Sequence, residues 1–257
     1  CCVLLCPPAR ADWNVTAGGT HDYDDTGNWD GGVINHTFSD TLSGGQVLTT
    51  YTDQVVPGWY FAHDGANIRI RPDVGFVSGY PDAGTVFLAG SVTNDSGTTV
   101  TYGDSGNNSY RYDLRLGPHG TSDTEREIYV GEGSTFVIRS RINHPTNGVG
   151  GNIVINLVKT GIGTLSIPVT YSPGGSSLYY RYGNTYVNAG TFSISGPLDS
   201  LSGSTIYVGD NVLDYNSSSQ LVQDKAILDN VGRCHIRVRS SGVVDFKESS
   251  SFQYKWY

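Results

Sequence analysis

The sequence predicts an all-β chain of short strands, and three observations carry that expectation. Short runs rich in Val, Ile, Thr, Phe and Tyr alternate apolar with polar side chains, which is the period of a half-buried strand. Glycine is plentiful, at 34 of 257 residues, and it gathers with Asn, Asp, Pro and Ser between those runs, where turns need its freedom. No amphipathic helix longer than a turn or two can be drawn, the nearest being Gln220 to Leu228. With 37% hydrophobic and 16% charged residues, a buried core is feasible and disorder throughout is excluded. The length suits one large β domain or two small ones, and nothing reads as an inter-domain linker. Strands of this length and spacing fit either a stacked coil or a β-sandwich.

Taken in order, CCVLLCPPARA at residues 1–11 reads as the end of a secretory signal. Val3, Leu4 and Leu5 supply apolar h-region text, and Ala9-Arg10-Ala11 forms an A-x-A cleavage site before Asp12. No Met occurs in the chain, so the sequence is expected to lack its natural start. Removal of Cys1, Cys2 and Cys6 would leave Cys234 alone, so no disulfide framework is expected in the exported protein. Residues 12–45 are dense in turn formers and marked by Trp13 and Trp29. They are assigned to an N-terminal cap that covers the first open β edge.

Residues 46–257 are then expected to form the β-rich body. Strands are predicted at Gln46 to Tyr51, Trp59 to Ala62, Asn67 to Ile70, Thr85 to Leu88 and Thr98 to Tyr102. Others follow at Tyr110 to Leu116, Glu127 to Val130, Thr135 to Ile142 and Asn152 to Val158. Past the middle of the chain come Ser204 to Val208, Leu213 to Tyr215, Lys225 to Leu228, Cys234 to Val238 and Val243 to Phe246. Turn signals such as Pro57-Gly58, Asp64-Gly65 and Asp95-Ser96-Gly97 separate them.

The stretch from Leu157 to Ile194 is the most informative. It carries Lys159, Thr160, Gly161, Gly163, Thr164 and Leu165, followed by Thr185, Val187, Ala189, Gly190, Thr191 and Phe192. This pair of blocks resembles the autotransporter-associated β-strand repeat of bacterial passenger domains, worded K-T-G-x-G-T-L and then T-x-V-x-A-G-T-L. Phe192 stands where the family has Leu, and the segment from Pro168 to Gly183 is longer than the family's link, so a loop is expected to project there. Gly19, Thr20, Tyr23, Asp25, Thr26, Asn28 and Trp29 resemble the phrase that opens such chains. The resemblance implies a right-handed, single-stranded parallel β-helix whose coils bury a column of small and aliphatic side chains. It also implies export to the cell surface and, in autotransporters proper, a C-terminal outer-membrane barrel; no barrel or anchor is legible in these residues.

Catalysis needs a constellation of residues. The G-x-S-x-G elbow, H-E-x-x-H and paired-cysteine metal sites are missing, so no catalytic residue, metal ligand or cofactor is expected. Asp22, Asp24, Asp25 and Asp30, with His21, could suit calcium as hard oxygen ligands, but they lack the order of an EF-hand loop and read as turn residues. His21, His36, His63, His119, His144 and His235 are scattered and are expected on the surface or in turns. Arg111, Arg115, Arg126, Arg139 and Arg141 crowd one region, with Arg139 and Arg141 read as outward positions of one alternating strand. Cys234 and His235 are adjacent on a strand and so face apart.

Tyr179, Tyr180, Arg181 and Tyr182, with Tyr171, form the one candidate binding loop, because aromatic faces with polar tips suit stacking on sugars. A net charge of −8 argues against nucleic acid or an anionic membrane as partner, and no apolar run is long enough for a membrane helix. The functional expectation is an exported, non-enzymatic stalk or passenger segment that contacts extracellular glycan, matrix or a host surface. A carbohydrate-active β-helix enzyme and a glycan-binding module are the alternatives.

Overall fold

The structure, a computed structural model, describes residues 12–30, 34, 36–50, 54–72, 85–103, 113–143, 145, 153–168, 180–181 and 183–195, and the strands at 205–208, 226–229, 235–238 and 243–244. It is a parallel β-helix. The chain winds through three sheets, and every strand-to-strand pairing recorded within them is parallel. Parallel neighbours need a crossover between them, and here the rest of the coil supplies it.

The first face stacks β1 (Gly19–Asp22), β3 (Gln46–Thr50), β6 (Ile68–Pro72), β9 (Thr99–Gly103), β12 (Thr135–Arg139), β15 (Thr164–Pro168), β18 (Gly190–Ser195), β20 (Ala226–Asp229) and β22 (Val243–Val244). The second face stacks β4 (Gln54–Val56), β7 (Thr85–Leu88), β10 (Asp113–Arg115), β13 (Arg141–Asn143) and β16 (Tyr180–Arg181). The third stacks β2 (Thr37–Phe38), β5 (Trp59–Phe61), β8 (Val92–Asn94), β11 (Glu125–Val130), β14 (Asn156–Thr160), β17 (Thr185–Val187), β19 (Thr205–Val208) and β21 (His235–Val238).

Side chains alternate in and out along each strand, so stacking in register turns single residues into columns. On the first face Gln46, Ile68, Val100, Phe136, Leu165 and Phe192 occupy one column, and all are buried. The uneven steps between those residue numbers show coils of unequal length, the difference being taken up between strands. On the third face Trp59, Val92, Ile128, Lys159 and Val187 form another inward column. Each fully buried Val, Leu, Ile or Phe in such a column contributes about 1.5–3 kcal/mol relative to exposure. The interior is more aromatic than the expected column of small and aliphatic residues. Phe38 stacks on Phe61 at 4.9 Å between centroids, and Trp59 lies against Tyr102 at 5.7 Å.

The described residues of the segment 12–45 lie at one end of the coil. Trp13, Tyr23, Trp29 and Phe38 are all at most 2% exposed and meet edge to face or tilted, with Trp13 and Trp29 at 5.1 Å. Trp13 Nε1 donates to Gln46 Oε1 at 2.9 Å, and Trp29 Nε1 donates to the Tyr23 carbonyl at 2.9 Å. The same segment also supplies the first rung of two faces, since β1 pairs with β3 and β2 pairs with β5.

Two differences from the sequence expectation concern the second face. The single strand expected over Thr135 to Ile142 is two, β12 and β13, on different faces. The break falls at Ser140, a buried corner residue whose Oγ donates to the Arg141 carbonyl at 3.1 Å. The long segment between Pro168 and Gly183 contains β16, which pairs with β13 and so closes a coil face.

Candidate functional site

The residues that carry the family resemblance meet at successive corners between the third and first faces. Lys159 occupies an inward column position, registered between Ile128 and Val187, and its side chain is fully buried. Its Nζ donates to the carbonyls of Thr160, Gly161 and Ala189 at 2.7, 2.5 and 3.0 Å. An ammonium has three protons, so one side chain closes the carbonyls of two stacked corners. Burial pushes the Lys159 ammonium down to about 7, while the carbonyls take hydrogen bonds that only the charged form can fill all at once.

The corner glycines fit the same geometry. Gly161 and Gly190 both have φ +72°, a left-handed conformation that favours glycine. A Cβ at Gly190 would lie 2.5 Å from the Gly163 carbonyl oxygen and 2.6 Å from that of Gly161. Thr164 and Thr191 follow in register on the first face, with Leu165 over Phe192 beneath them. Thr160 Oγ1 donates to Glu127 Oε1 at 2.6 Å. Val187 is buried in the third-face column. These residues build the coil.

The other candidates separate in space. Asp22 Oδ1 accepts from Asp24 N at 2.9 Å, and Asp25 Oδ1 accepts from Gly27 N at 2.8 Å at the start of a short 3-10 turn, Thr26–Asn28. Among the described residues no group of three or more His, Cys, Asp or Glu is placed to hold a metal ion. Arg126 is buried rather than on an outer face. Its Nε donates to the Leu116 carbonyl at 3.2 Å, and its guanidinium pairs with Asp123 at 2.8 Å. Arg141 pairs with buried Asp113 at 2.5 Å; burial pushes that carboxyl up, and Arg141 and Asn143 draw it back down. Arg139 sits on a different face from Arg141, so the two do not form one outward strip.

Of the histidines, His21 and His119 are exposed or near the surface, with His119 against Phe87 and Arg115. His63 is in a corner but fully buried, its Nε2 bonded to the Ala66 carbonyl and Thr98 Oγ1 at 3.1 Å each. Tyr171, Tyr179 and Tyr182 lie outside the described residues, as do Arg111, His144, Cys234 and residues 1–11. Tyr180 and Arg181 are described only as backbone of β16.

A site that sequence reading missed lies where the N-terminal segment meets the third face. His36, Thr37, Pro57, Gly58, Trp59, Tyr60, Ser91 and Thr93 line an open depression of about 270 Å³. His36 is the one described non-glycine residue with positive φ, +63°, a conformation that costs of order 1–3 kcal/mol and persists where surroundings enforce it. Its carbonyl accepts from Tyr60 N at 3.0 Å. Tyr23 stacks on the His36 ring at 5.7 Å and hydrogen-bonds its Nδ1.

Trp59 Nε1 donates to the same Tyr23 hydroxyl at 3.2 Å, so that hydroxyl turns its proton to His36. Burial holds the Tyr23 phenol well above its ordinary range and lowers the His36 imidazole to about 4. At neutral pH both are therefore uncharged, and His36 carries its proton on Nε2. Tyr60 stands at the rim, 38% exposed.

No family model matches the chain, and no curated protein and no solved structure matches it either. The depression offers one aromatic face, hydroxyls and a neutral imidazole, which is equipment for binding.

Proposed function

We propose that the chain is an exported, non-enzymatic segment of a bacterial surface protein of the autotransporter-associated repeat type, in which the β-helix acts as a stalk or passenger serving adhesion or cell-envelope contact. The observation that supports this reading most is the run of parallel ladders, nine strands on the first face and eight on the third among the described residues, with the motif residues at stacked corners. In such a coil each turn contacts mainly its neighbours, so length grows by repetition while contacts stay local. That suits a rod that sets a distance between a surface and what it touches.

The test has two arms. Expressed in a Gram-negative host behind a start Met, a basic n-region and an apolar stretch that complete the signal ending in residues 1–11, the protein is expected in the periplasm with its N-terminus at Asp12; a product that keeps residues 1–11 attached would end the reading of Ala9-Arg10-Ala11 as a cleavage site. Displayed on cells that do not otherwise adhere, it is expected to increase retention on extracellular matrix or immobilised polysaccharide without releasing soluble sugar. Release of unsaturated or reducing ends from acidic or neutral polysaccharide would instead show a carbohydrate-active enzyme.

A further inference from the structure

We propose that the outer third face carries a track for a neutral, β-linked oligosaccharide, running from the depression at His36 and Tyr60 past Thr93 to Tyr129. This inference goes beyond the stalk reading and stands whether or not the chain is exported. Tyr60, Thr93, Tyr129 and Thr160 are consecutive members of one outward column. Tyr60 and Tyr129 are two strands apart, which places them roughly 10 Å from each other along the stacking direction. That interval is close to a disaccharide unit of an extended β-linked glycan.

Both tyrosines are among the few large hydrophobic side chains exposed on the described surface, at 38% and 36%. Tyrosine rings combine an apolar face, suited to the C–H face of a pyranose, with a polar tip. The depression at the Tyr60 end supplies the directional contacts. Thr37, Ser91 and Thr93 bring hydroxyl-bearing residues to its wall, and His36 brings an Nε2–H, since its Nδ1 is engaged by Tyr23. A volume of about 270 Å³ is at the small end of ligand clefts and suits one sugar ring.

At the other end Tyr129 packs beside a glycine corner. Its Cε2 lies 3.0 Å from where a Cβ on Gly161 would sit, so the bare corner leaves room for the ring, and a ring that rests on a neighbour loses less freedom on binding. The ligand is assigned as neutral because the charges near Tyr129 are carboxylates. Burial, and after it the Asp95 carboxylate, raises the Tyr129 phenol, and Glu125 and Glu127 are exposed on the same strand, so a uronate would be repelled.

The experiment is titration of the full chain with cellohexaose, chitohexaose and, as acidic control, hexagalacturonate, followed by calorimetry and by saturation-transfer NMR. Saturable binding of at least one neutral hexasaccharide, with none of the acidic one, is expected. Tyr60→Ala should weaken it by about tenfold or more, consistent with loss of a stacking anchor, and Tyr60→Phe should keep it within about threefold. Tyr129→Ala should weaken hexasaccharide binding by several-fold while leaving the corresponding disaccharide unchanged. If neither neutral hexasaccharide binds, or if Tyr60→Ala and Tyr129→Ala both bind like the parent while retaining its thermal unfolding profile, the track is wrong. Should Tyr60→Ala fail to fold, the hexasaccharide-to-disaccharide contrast in Tyr129→Ala decides alone. Loss of export or adhesion with sugar binding intact would strike the stalk reading and leave the track standing.

Discussion

Two pairs of corners in the same coil, both joining the third face to the first, satisfy their backbone in different ways. At 95–98 and 131–134 short polar side chains do the work. Asn94 Nδ2 donates to the Thr135 carbonyl at 3.0 Å, and its Oδ1 accepts from the Ser96 hydroxyl at 2.7 Å. The Gly97 N–H donates to Ser134 Oγ at 2.9 Å. At 161–163 and 188–189 the corners are shorter, side-chain oxygens are fewer, and Lys159 closes the carbonyls from inside. Asn94 and Lys159 stand in the third-face interior among apolar neighbours, Asn94 registered with Phe61 and Lys159 with Ile128 and Val187. A stacked coil must pair the carbonyls its corners turn inward, and it can do so with a local network or with one long cation.

The glycines sharpen that contrast, and they carry the largest expected effect. Gly97 and Gly161 have nearly the same backbone, φ +67° and +72°. A Cβ at Gly97 meets nothing within 4 Å, whereas one at Gly161 runs into the Val130 carbonyl oxygen. Gly161→Ala is therefore expected to destabilise by about 4 kcal/mol or more, as steric overlap adds to conformational strain. Gly97→Ala should lose only about 1 kcal/mol, the strain alone. Denaturant unfolding of the two variants checks this, and equal losses would show that the corners are packed alike.

Lys159→Met comes next. It keeps the apolar stem but leaves the carbonyls of Thr160, Gly161 and Ala189 without their donor, at an expected loss of about 3 kcal/mol. The pH dependence carries a sign. The Lys159 amine is held near 7 in the fold against an ordinary value near 10.5, so between those values the unfolded chain binds more protons and native stability rises with pH. Below pH 7 both states are charged and the contribution is flat. The stability difference between parent and Lys159→Met should therefore widen from pH 7 to 10.5; a flat difference would show that the carbonyls hold the ammonium charged despite its burial.

The polar-network corners should respond more mildly. Asn94→Leu removes a buried amide and substitutes an apolar group of similar size in a column that already holds Phe61. Ser96 Oγ retains Thr98 at 2.9 Å, while the Thr135 carbonyl loses its donor and the Ser96 N–H its acceptor. A loss of about 1–2 kcal/mol, with no pH dependence, is expected from thermal unfolding. A loss as large as that of Lys159→Met would mean that the two solutions are equally demanding.

Much of this coil could be read in advance because its determinants are local. Short runs of strand-favouring residues between turn signals marked β3, β5, β7, β9 and β19 to within a residue or two, and the paired motif marked the corners at Gly161 and Gly190. What could not be read depends on register between distant coils. The strands β4 and β8 have only three residues each, too few for a period to show, and the Ser140 corner hides inside an apparently continuous alternating run. Leu157 and Lys159 share a strand face by spacing alone, yet the three carbonyls that make a buried lysine tolerable come from two successive corners. The His36 depression joins residues from three coils, and its one sequence-local sign, a positive φ at His36, leaves no trace in residue type.

The smallest predicted effect uses the N-terminal plug as a counterpoint to Lys159, since it buries a titratable group that responds in the opposite pH window. His36 is held at about 4 by burial against an ordinary 6.5. Its neutral form is favoured in the fold, so its contribution to stability is complete above pH 6.5 and is lost as pH falls toward 4. His63, also lowered by burial, acts in the same direction, so the parent's acid sensitivity sums both. His36→Gln keeps an acceptor for the Tyr23 hydroxyl but does not titrate. The variant should match the parent to within about 1 kcal/mol at pH 7.5 and lose less stability between pH 6.5 and 4.5, read as the difference in unfolding midpoints at each pH. Because Lys159 is protonated in both folded and unfolded chains below pH 7, any acid difference between the two proteins belongs to the plug, and any alkaline difference between parent and Lys159→Met belongs to the corner.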